Sequence, residues 1–371
     1  MTLSDDQIAV IALSTISGLG PARMRALTRC LGSPSKALRV GEHVLREVPG
    51  IGKTLARQIK SLDARGEVLR QLALARRVSA RMVLRRQPAY PPLLRQIADP
   101  PPFLWARGRE DVGLDYSVAI VGSRRATRYG QRTAFLFARD LAASGFTIVS
   151  GLAYGIDSAA HRGALAAGGR TVGVLGSGVD VVYPAAHRSL FKGVIDSGVL
   201  YSEFPMGTKP DGTNFPRRNR LISGMSLGVI VVEAYEQGGG LITARFALDQ
   251  NREVFSVPGP ITSPPSLGSN LLIRDGLAKL VTGVQDVIDE LPLPAGAKRP
   301  ESRAIEELSG QEHELAHSIS ENGSDLDTIS FRSGIEVSTA LAGLLSLELK
   351  GVVRQGVGGR FFLVDAVRGS N

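Results

Sequence analysis

Residues 116–130 read Y-S-V-A-I-V-G-S-R-R-A-T-R-Y-G, and residues 146–160 read F-T-I-V-S-G-L-A-Y-G-I-D-S-A-A. Each opens with an apolar, β-branched run (118–121 and 146–149) that ends in small residues before a helical segment. Between them Ala134, Phe137, Ala138 and Leu141 fall at i, i+3, i+4 and i+7, one apolar stripe suited to packing on a sheet. Strand, crossover helix and second strand make the unit of a doubly wound parallel sheet. In the first turn, Gly122, Ser123, Arg124 and Arg125 put two guanidinium groups where a helix is expected to start. A helix N-terminus carries partial positive charge and favours anions, so this placement is reasonable if a phosphate occupies the turn.

Further apolar runs at 171–175, 199–202, 228–232, 253–257 and 280–281 extend the sheet. Their near-continuous Val and Ile content, without alternation, predicts strands covered on both faces. Ligands of such sheets bind outside the carboxyl ends of the strands. There the sequence places Lys209, then N-F-P-R-R-N-R at 214–220 and G-G-G-L-I-T-A-R at 238–245. Pro216 suits the first helical position, which would put Arg217 and Arg218 in the first turn. Arg124, Arg125, Arg128, Lys209, Arg217, Arg218, Arg220 and Arg245 together predict an extended polyphosphate track.

The flanks differ in character. Residues 1–112 hold 19 basic against 9 acidic side chains, residues 113–290 hold 17 against 15, and residues 291–371 hold 8 against 11. The basic excess of the N-terminal third points toward a polyanion partner. Residues 1–85 read as an all-α domain with two Gly-apolar-Gly turns, at 18–20 and 50–52. The second turn, with Gly50, Gly52 and Lys53, resembles a helix-hairpin-helix element, which holds nucleic-acid phosphates on outward amides, and is an auxiliary DNA-contact candidate. Prolines at 88, 91, 92 and 100–102 predict an irregular connection pinned by Tyr90, Phe103, Leu104 and Trp105. A Pro/Ala-rich linker spans 291–303. Beyond it, helices, including 325–330 and 336–349, and a hairpin of 352–355 with 360–364 follow winged-helix order over 304–366. Val337, Ala340, Leu341 and Leu344 are the expected core stripe of the long helix. That helix offers no basic or amide side chains for reading duplex DNA, so this domain is expected to meet protein or its own chain.

Several chemistries are excluded by what the chain lacks. One cysteine, Cys30, leaves no disulfide framework or cysteine metal cluster. No G-x-G-x-x-G follows the first strand and no G-x-x-x-x-G-K-[ST] occurs, which argues against NAD and a P-loop nucleotide site. His161 and His187 lack metal-ligand spacing and read as helix-surface hydrogen-bonders. Asp157 reads as an N-cap, and Glu203 and Glu233 as partners of nearby arginines. No apolar run of about 18 residues suggests a membrane span, and the first residues carry no secretory pattern, so a cytoplasmic protein is expected.

The segments V-G-S-R at 121–124, S-G-L-A-Y-G-I-D-S-A-A-H at 150–161, G-V-D-V-V-Y-P at 178–184, F-P-R-R-N-R-L-I-S-G at 215–224 and G-G-L-I-T-A at 239–244 resemble the signature segments of the DNA-processing protein A family, DprA or Smf. V-P-G at 257–259 and G-S-N at 268–270 agree with it, and the likeness is strongest over residues 100–290. The resemblance implies an extended Rossmann-like domain, here 86–290, that binds single-stranded DNA. It further implies a homodimer that delivers single strands to the RecA recombinase in natural transformation, with no catalytic activity, cofactor or metal. The DNA-binding residues it implies are Gly122, Ser123, Arg124, the segment with Phe215, Arg217, Arg218, Asn219 and Arg220, the turn with Gly238, Gly239, Gly240 and Thr243, and also Arg188 and Lys209; Arg125, Arg128, Gly151 and Gly155, in the adjoining turns, complete the expected set. A different class, a phosphoribohydrolase of the lysine-decarboxylase-like type, shares the sheet and its glycine turns. Its helix after the glycine turn needs a carboxylate where this chain has Arg245, so binding is favoured over hydrolysis.

Overall fold

The computed structural model describes residues 3–293, 309–320, 323–349, 352–356 and 359–363. They form two compact units, one within residues 1–297 and one within 298–371. The larger unit is built on a nine-stranded sheet. Its strands are β1 (Ala80–Leu84), β2 (Phe103–Gly108), β3 (Ser117–Val121), β4 (Thr147–Ser150), β5 (Thr171–Val174), β6 (Val199–Ser202), β7 (Gly228–Val231), β8 (Glu253–Ser256) and β9 (Lys279–Leu280). The spatial order is β1-β2-β6-β5-β4-β3-β7-β8-β9. From β6 to β9 every pairing is parallel, while β1 and β2 are antiparallel to their neighbours.

Strands β3 to β7 are buried along their whole length, as their Val and Ile content requires. Alternate residues of β3 serve opposite layers. Val118 and Ile120 pack under the helices Arg128–Ala143 and Ile156–Ala166, with Ala134, Phe137, Ala138 and Leu141 all in that layer. Ala119 and Val121 meet Leu221 and Ala244, from the helices Asn214–Gly224 and Gly239–Asp249. The chain runs outward from β3 through β6, then returns to β7 on the other side of β3. That reversal leaves a crevice at the carboxyl ends of β3 and β7, where ligands of such sheets are held.

Six helices, from Asp5–Ser14 to Ala64–Arg77, form the N-terminal part around Ala9, Leu13, Leu27, Leu45, Ile51 and Ile59. Gly18 and Gly50 turn the two hairpins with φ of 84° and 81°, left-handed values that suit glycine. The all-α reading of residues 1–85 is corrected by β1, which lies inside that stretch and forms the sheet's edge. The second unread strand, β2, lies directly after the prolines, with Trp105 buried in it. Ile11, Ala12, Val68 and Ala75 share a core with Phe103, Trp105 and Leu200, so the helices and the sheet are packed as one body.

In the smaller unit, the helices Gly310–His317, Leu326–Ser333 and Val337–Leu349 precede a hairpin of Val353–Gln355 with Phe361–Leu363. This is the winged-helix order. Leu315, Ile329, Ala340, Leu344 and Phe361 form its core. Val337 and Leu341 are 44% and 50% exposed, not in the core as their spacing suggests; Leu347 takes the inward place with Ala340 and Leu344. The expected linker residues 294–303, the helix start at 304–308 and the strand end at 364 lie outside the described residues.

Candidate nucleic-acid interface

The turn after β3 is closed by backbone pairing. Ser123 N donates to the Glu233 carbonyl at 2.7 Å and Ile156 N donates to the Ser123 carbonyl at 3.2 Å. A Cβ at Gly122 would press on Glu233 and Ile156, and one at Gly155, whose φ is +75°, would collide with the Ser123 carbonyl. Both glycines therefore exist for close approach. The turn then points Arg124 outward, exposed, with its guanidinium carbon 4.5 Å from the centre of the Phe215 ring. Tyr183 stacks with Phe215 at 5.7 Å and 27° between ring planes. Arg124, Gly151, Tyr154, Gly176, Tyr183 and Phe215 line one depression at the ends of β3, β4 and β5. Tyr154 and Tyr183 are 48% and 39% exposed, so aromatic faces are open to solvent beside a cation.

The expected helix start is misplaced by the sequence reading. The helix begins at Arg128 with Thr127 as N-cap, downstream of Arg124 and Arg125. Its positive pole is also already served. Glu233 accepts from Thr127 N at 2.9 Å and from the Thr127 hydroxyl at 2.6 Å, and Thr127 in turn caps Gly130 N. Glu233 is thus a helix-capping carboxylate, not an arginine partner. Arg125 and Arg128 are exposed.

The helix Asn214–Gly224 places its arginines in different surroundings. Pro216 is its third residue, not the first. Arg218, 3% exposed, turns inward and donates to the carbonyls of Gly151 and Val174. Gly151 has no room for a side chain because this guanidinium lies against it. Beside it Asp157 is buried in the first turn of its helix, accepting from Gly151 N at 3.1 Å and Ala153 N at 3.4 Å. The N-cap there is Gly155, which corrects the reading of Asp157. Burial raises the Asp157 carboxyl above the usual range against the pull of Arg218 and those amides. Burial also lowers Arg218, to about 10, with Asp157 opposing.

Glu203, at the end of β6, gathers two more guanidinium groups. Arg220 pairs with Glu203 and with Asp99, and Arg217 Nε lies 3.2 Å from Glu203. Arg220 is 5% exposed, so it and Arg218 are framework rather than open surface, contrary to the expected track. Arg217 is intermediate, its guanidinium carbon 4.9 Å from the centre of the Phe204 ring and its Nη1 beside Gly20 of the first hairpin. Asn219 donates to the Gly239 carbonyl at 3.3 Å, tying this helix to the glycine turn. That turn packs on β3's end, Gly240 against Gly122, while Thr243 is buried inside the following helix. Gly238 and Gly239 lie at the surface of the turn. Arg188 and Lys209 are exposed but outside the depression that Arg124 and Phe215 line. Gly50, Gly52 and Lys53 sit on the second hairpin, with Gly52 the N-cap of the helix Lys53–Lys60 and Lys53 exposed.

His161 and His187 are both buried, which corrects their reading as surface groups. His161 Nδ1 lies 2.7 Å from the Thr171 hydroxyl, which itself donates to the Ile148 carbonyl, so the imidazole carries its proton on Nδ1. Burial, reinforced by Arg218 and His187, pushes His161 down to about 3. Tyr154 and Tyr183, which line the depression, were not among the expected residues. Their signal was present: each is an aromatic side chain in a loop that follows a strand, inside a segment already singled out.

Fold and pocket together define a Rossmann-like α/β protein with an aromatic and guanidinium surface at the carboxyl edge of its sheet. The family model for DNA recombination-mediator protein A matches residues 81–292, the DprA winged helix domain model 299–359, and the SAM-like helix-hairpin-helix tandem model 10–65. Protein Smf of Synechocystis is 32% identical over 96% of this chain and 99% of its own length. A putative DNA processing protein DprA of Mycobacterium tuberculosis is 34% identical over 92% and 90%. Among solved structures, DprA of Streptococcus pneumoniae superposes with a TM-score of 0.66 at 31% identity, over 79% of this chain and all of that one. DNA processing protein A of Helicobacter pylori, described for its single-stranded DNA binding mode, gives 0.52 at 29% identity over 57% and 94%. The chain belongs to the DNA recombination-mediator protein A family, the DprA and Smf proteins.

Proposed function

We propose that this chain binds single-stranded DNA at the depression formed by Arg124, Phe215, Tyr183 and Tyr154. As a cytoplasmic homodimer it would pass the strand to the RecA recombinase during DNA uptake. The carrying observation is the Tyr183–Phe215 stack, exposed on Tyr183, with the Arg124 guanidinium over the Phe215 ring. Bases stack on exposed aromatic rings whatever their sequence, and a neighbouring cation meets the backbone phosphate. A duplex, whose bases are already stacked on each other, cannot use such a platform. The reported single-strand binding mode of the Helicobacter pylori relative supports the same assignment.

The role is binding without a catalytic step. No carboxylate is among the described residues that line the depression, and Glu203, Glu233 and Asp157 behind it are engaged with arginines, Thr127 and backbone amides. Fluorescence anisotropy with labelled oligo-dT and a matched duplex tests the reading. Single-strand preference abolished by Phe215→Ala with Tyr183→Ala is expected; equal affinity for the duplex, or no loss in the double variant, would overturn it. Acceleration of RecA filament growth on strands coated with single-strand-binding protein tests the loading role.

A further inference from the structure

We propose that the cleft between the N-terminal helices and the outer edge of the sheet is a docking groove. Its occupant is an acidic peptide segment with apolar side chains, presented by a partner protein. The cleft encloses about 680 Å³ and shares no lining residue with the Arg124–Phe215 depression. Its floor is apolar: Val10 and Ile11 from the first helix, Met24 from the second, Leu84 at the end of β1 and Phe103 at the start of β2. Its rim is cationic. Arg25 and Arg29 stand on the helical side, Arg85 and Arg86 on the side of the strand, and all four are exposed.

These charges are available. Among the described residues Arg29, Arg85 and Arg86 make no ion pair, and Arg25 has only a 3.5 Å contact with Asp99, which Arg220 also holds. Asp6, the one carboxylate in the lining, is occupied by Ser35, accepting from its backbone N at 3.1 Å. Four guanidinium groups against one engaged carboxylate call for an anionic ligand. The floor decides which kind. Phe103 is 3% exposed and set edge-on to Trp105, at 85° between ring planes, so no ring face is offered to a base. A strand of nucleic acid would bring phosphates to the rim and leave the apolar floor unfilled. A peptide with acidic and apolar residues alternating satisfies both, its apolar side chains in the floor and its carboxylates on the flanking arginines.

The test uses the full chain and a fluorescein-labelled twelve-residue peptide alternating aspartate with leucine or phenylalanine. Saturable anisotropy binding is expected, lost when serine replaces the apolar residues or lysine replaces aspartate. The combined Arg29→Glu, Arg85→Glu and Arg86→Glu variant should weaken the peptide at least ~10-fold, with oligo-dT affinity unchanged within about twofold because these residues lie outside the Arg124–Phe215 depression. The corresponding three Gln substitutions, with thermal unfolding recorded for both sets, guard against a folding defect. Absence of saturable peptide binding, or binding by both variant sets equal to that of the parent chain, would overturn the proposal. So would displacement of the peptide by oligo-dT together with a loss of oligo-dT affinity in the variants, since the groove would then belong to nucleic acid. Because the oligo-dT arm is read separately, failure here leaves the DNA-binding assignment standing or falling on its own result.

Discussion

The guanidinium carbon of Arg124 lies 4.5 Å from the centre of the Phe215 ring, while Tyr183 stacks on the same ring. One side chain from the β3 turn and one from a helix nearly a hundred residues later thus form a single surface. A charge-assisted contact to phosphate contributes on the order of 1.5–3 kcal/mol, so Arg124→Ala should weaken single-strand affinity by ~10-fold or more. The salt dependence should flatten by roughly 0.7 in log–log slope for the phosphate no longer neutralised. Titrations at four salt concentrations check both; a weakened affinity with an unchanged slope would make Arg124 a packing group.

Phe215→Ala should lose about 1–3 kcal/mol of single-strand binding, the usual contribution of a base stacked on an aromatic ring. Its salt slope should stay that of the parent chain, which distinguishes loss of stacking from loss of charge.

Arg218→Ala should act on folding. Removing the guanidinium leaves the carbonyls of Gly151 and Val174 without this donor and Asp157 without its cation. Leaving a buried acceptor without its donor costs about 1–3 kcal/mol, measurable by urea unfolding. Arg218→Ala combined with Asp157→Ala should cost less than the two single changes added together.

Acid should destabilise the fold through His161. Its folded value of about 3 lies below the ordinary 6.5, so between those limits the unfolded chain holds the proton and the folded chain does not. This contribution is complete above pH 6.5 and declines as pH falls toward 3, by about 1.4 kcal/mol per pH unit. His161→Leu should flatten the stability curve between pH 6 and 4.5 (roughly a 2 kcal/mol change in the parent by the same relation); an identical slope in the variant would exclude the imidazole as its source.

The winged-helix unit should add little to single-strand binding. Among the described residues its arginines are engaged within the unit: Arg354 covers the Phe362 ring, and Arg332 and Arg360 donate to the carbonyls of Ser318 and Gly323. A chain ending near residue 297 should bind oligo-dT within about twofold of the full chain if no phosphate is neutralised there, by the same anisotropy assay.

The parallel strands were legible because burial on both faces forces continuous Val and Ile runs, a pattern that needs no knowledge of neighbours. β1 and β2 were not: A-R-M-V-L sits beside a helix, and F-L-W-A-R-G follows three prolines, so local signals favoured helix and irregular chain. That Arg124 and Phe215 would meet at one edge of the sheet was legible from the segments that follow its strands. Which arginines of F-P-R-R-N-R would face the strand was not, since successive helical residues point about 100° apart. Only the tertiary placement of Glu203 and the Gly151 carbonyl decides that Arg220 and Arg218 go inward. Glu233 was misread for a related reason. Its partner, Thr127, is 106 residues away, beyond any local signal.

The strand Ala80–Leu84 runs in register with Phe103–Gly108 along the sheet's border. A deletion designed to remove the first 85 residues as a detachable module would therefore unzip that border, bare the backbone of its neighbour and invite self-association. Loss of DNA binding in such a truncation would report a damaged scaffold, and a cut before Ala80 spares the strand while still baring the core that Ile11, Val68 and Ala75 share with Phe103 and Trp105.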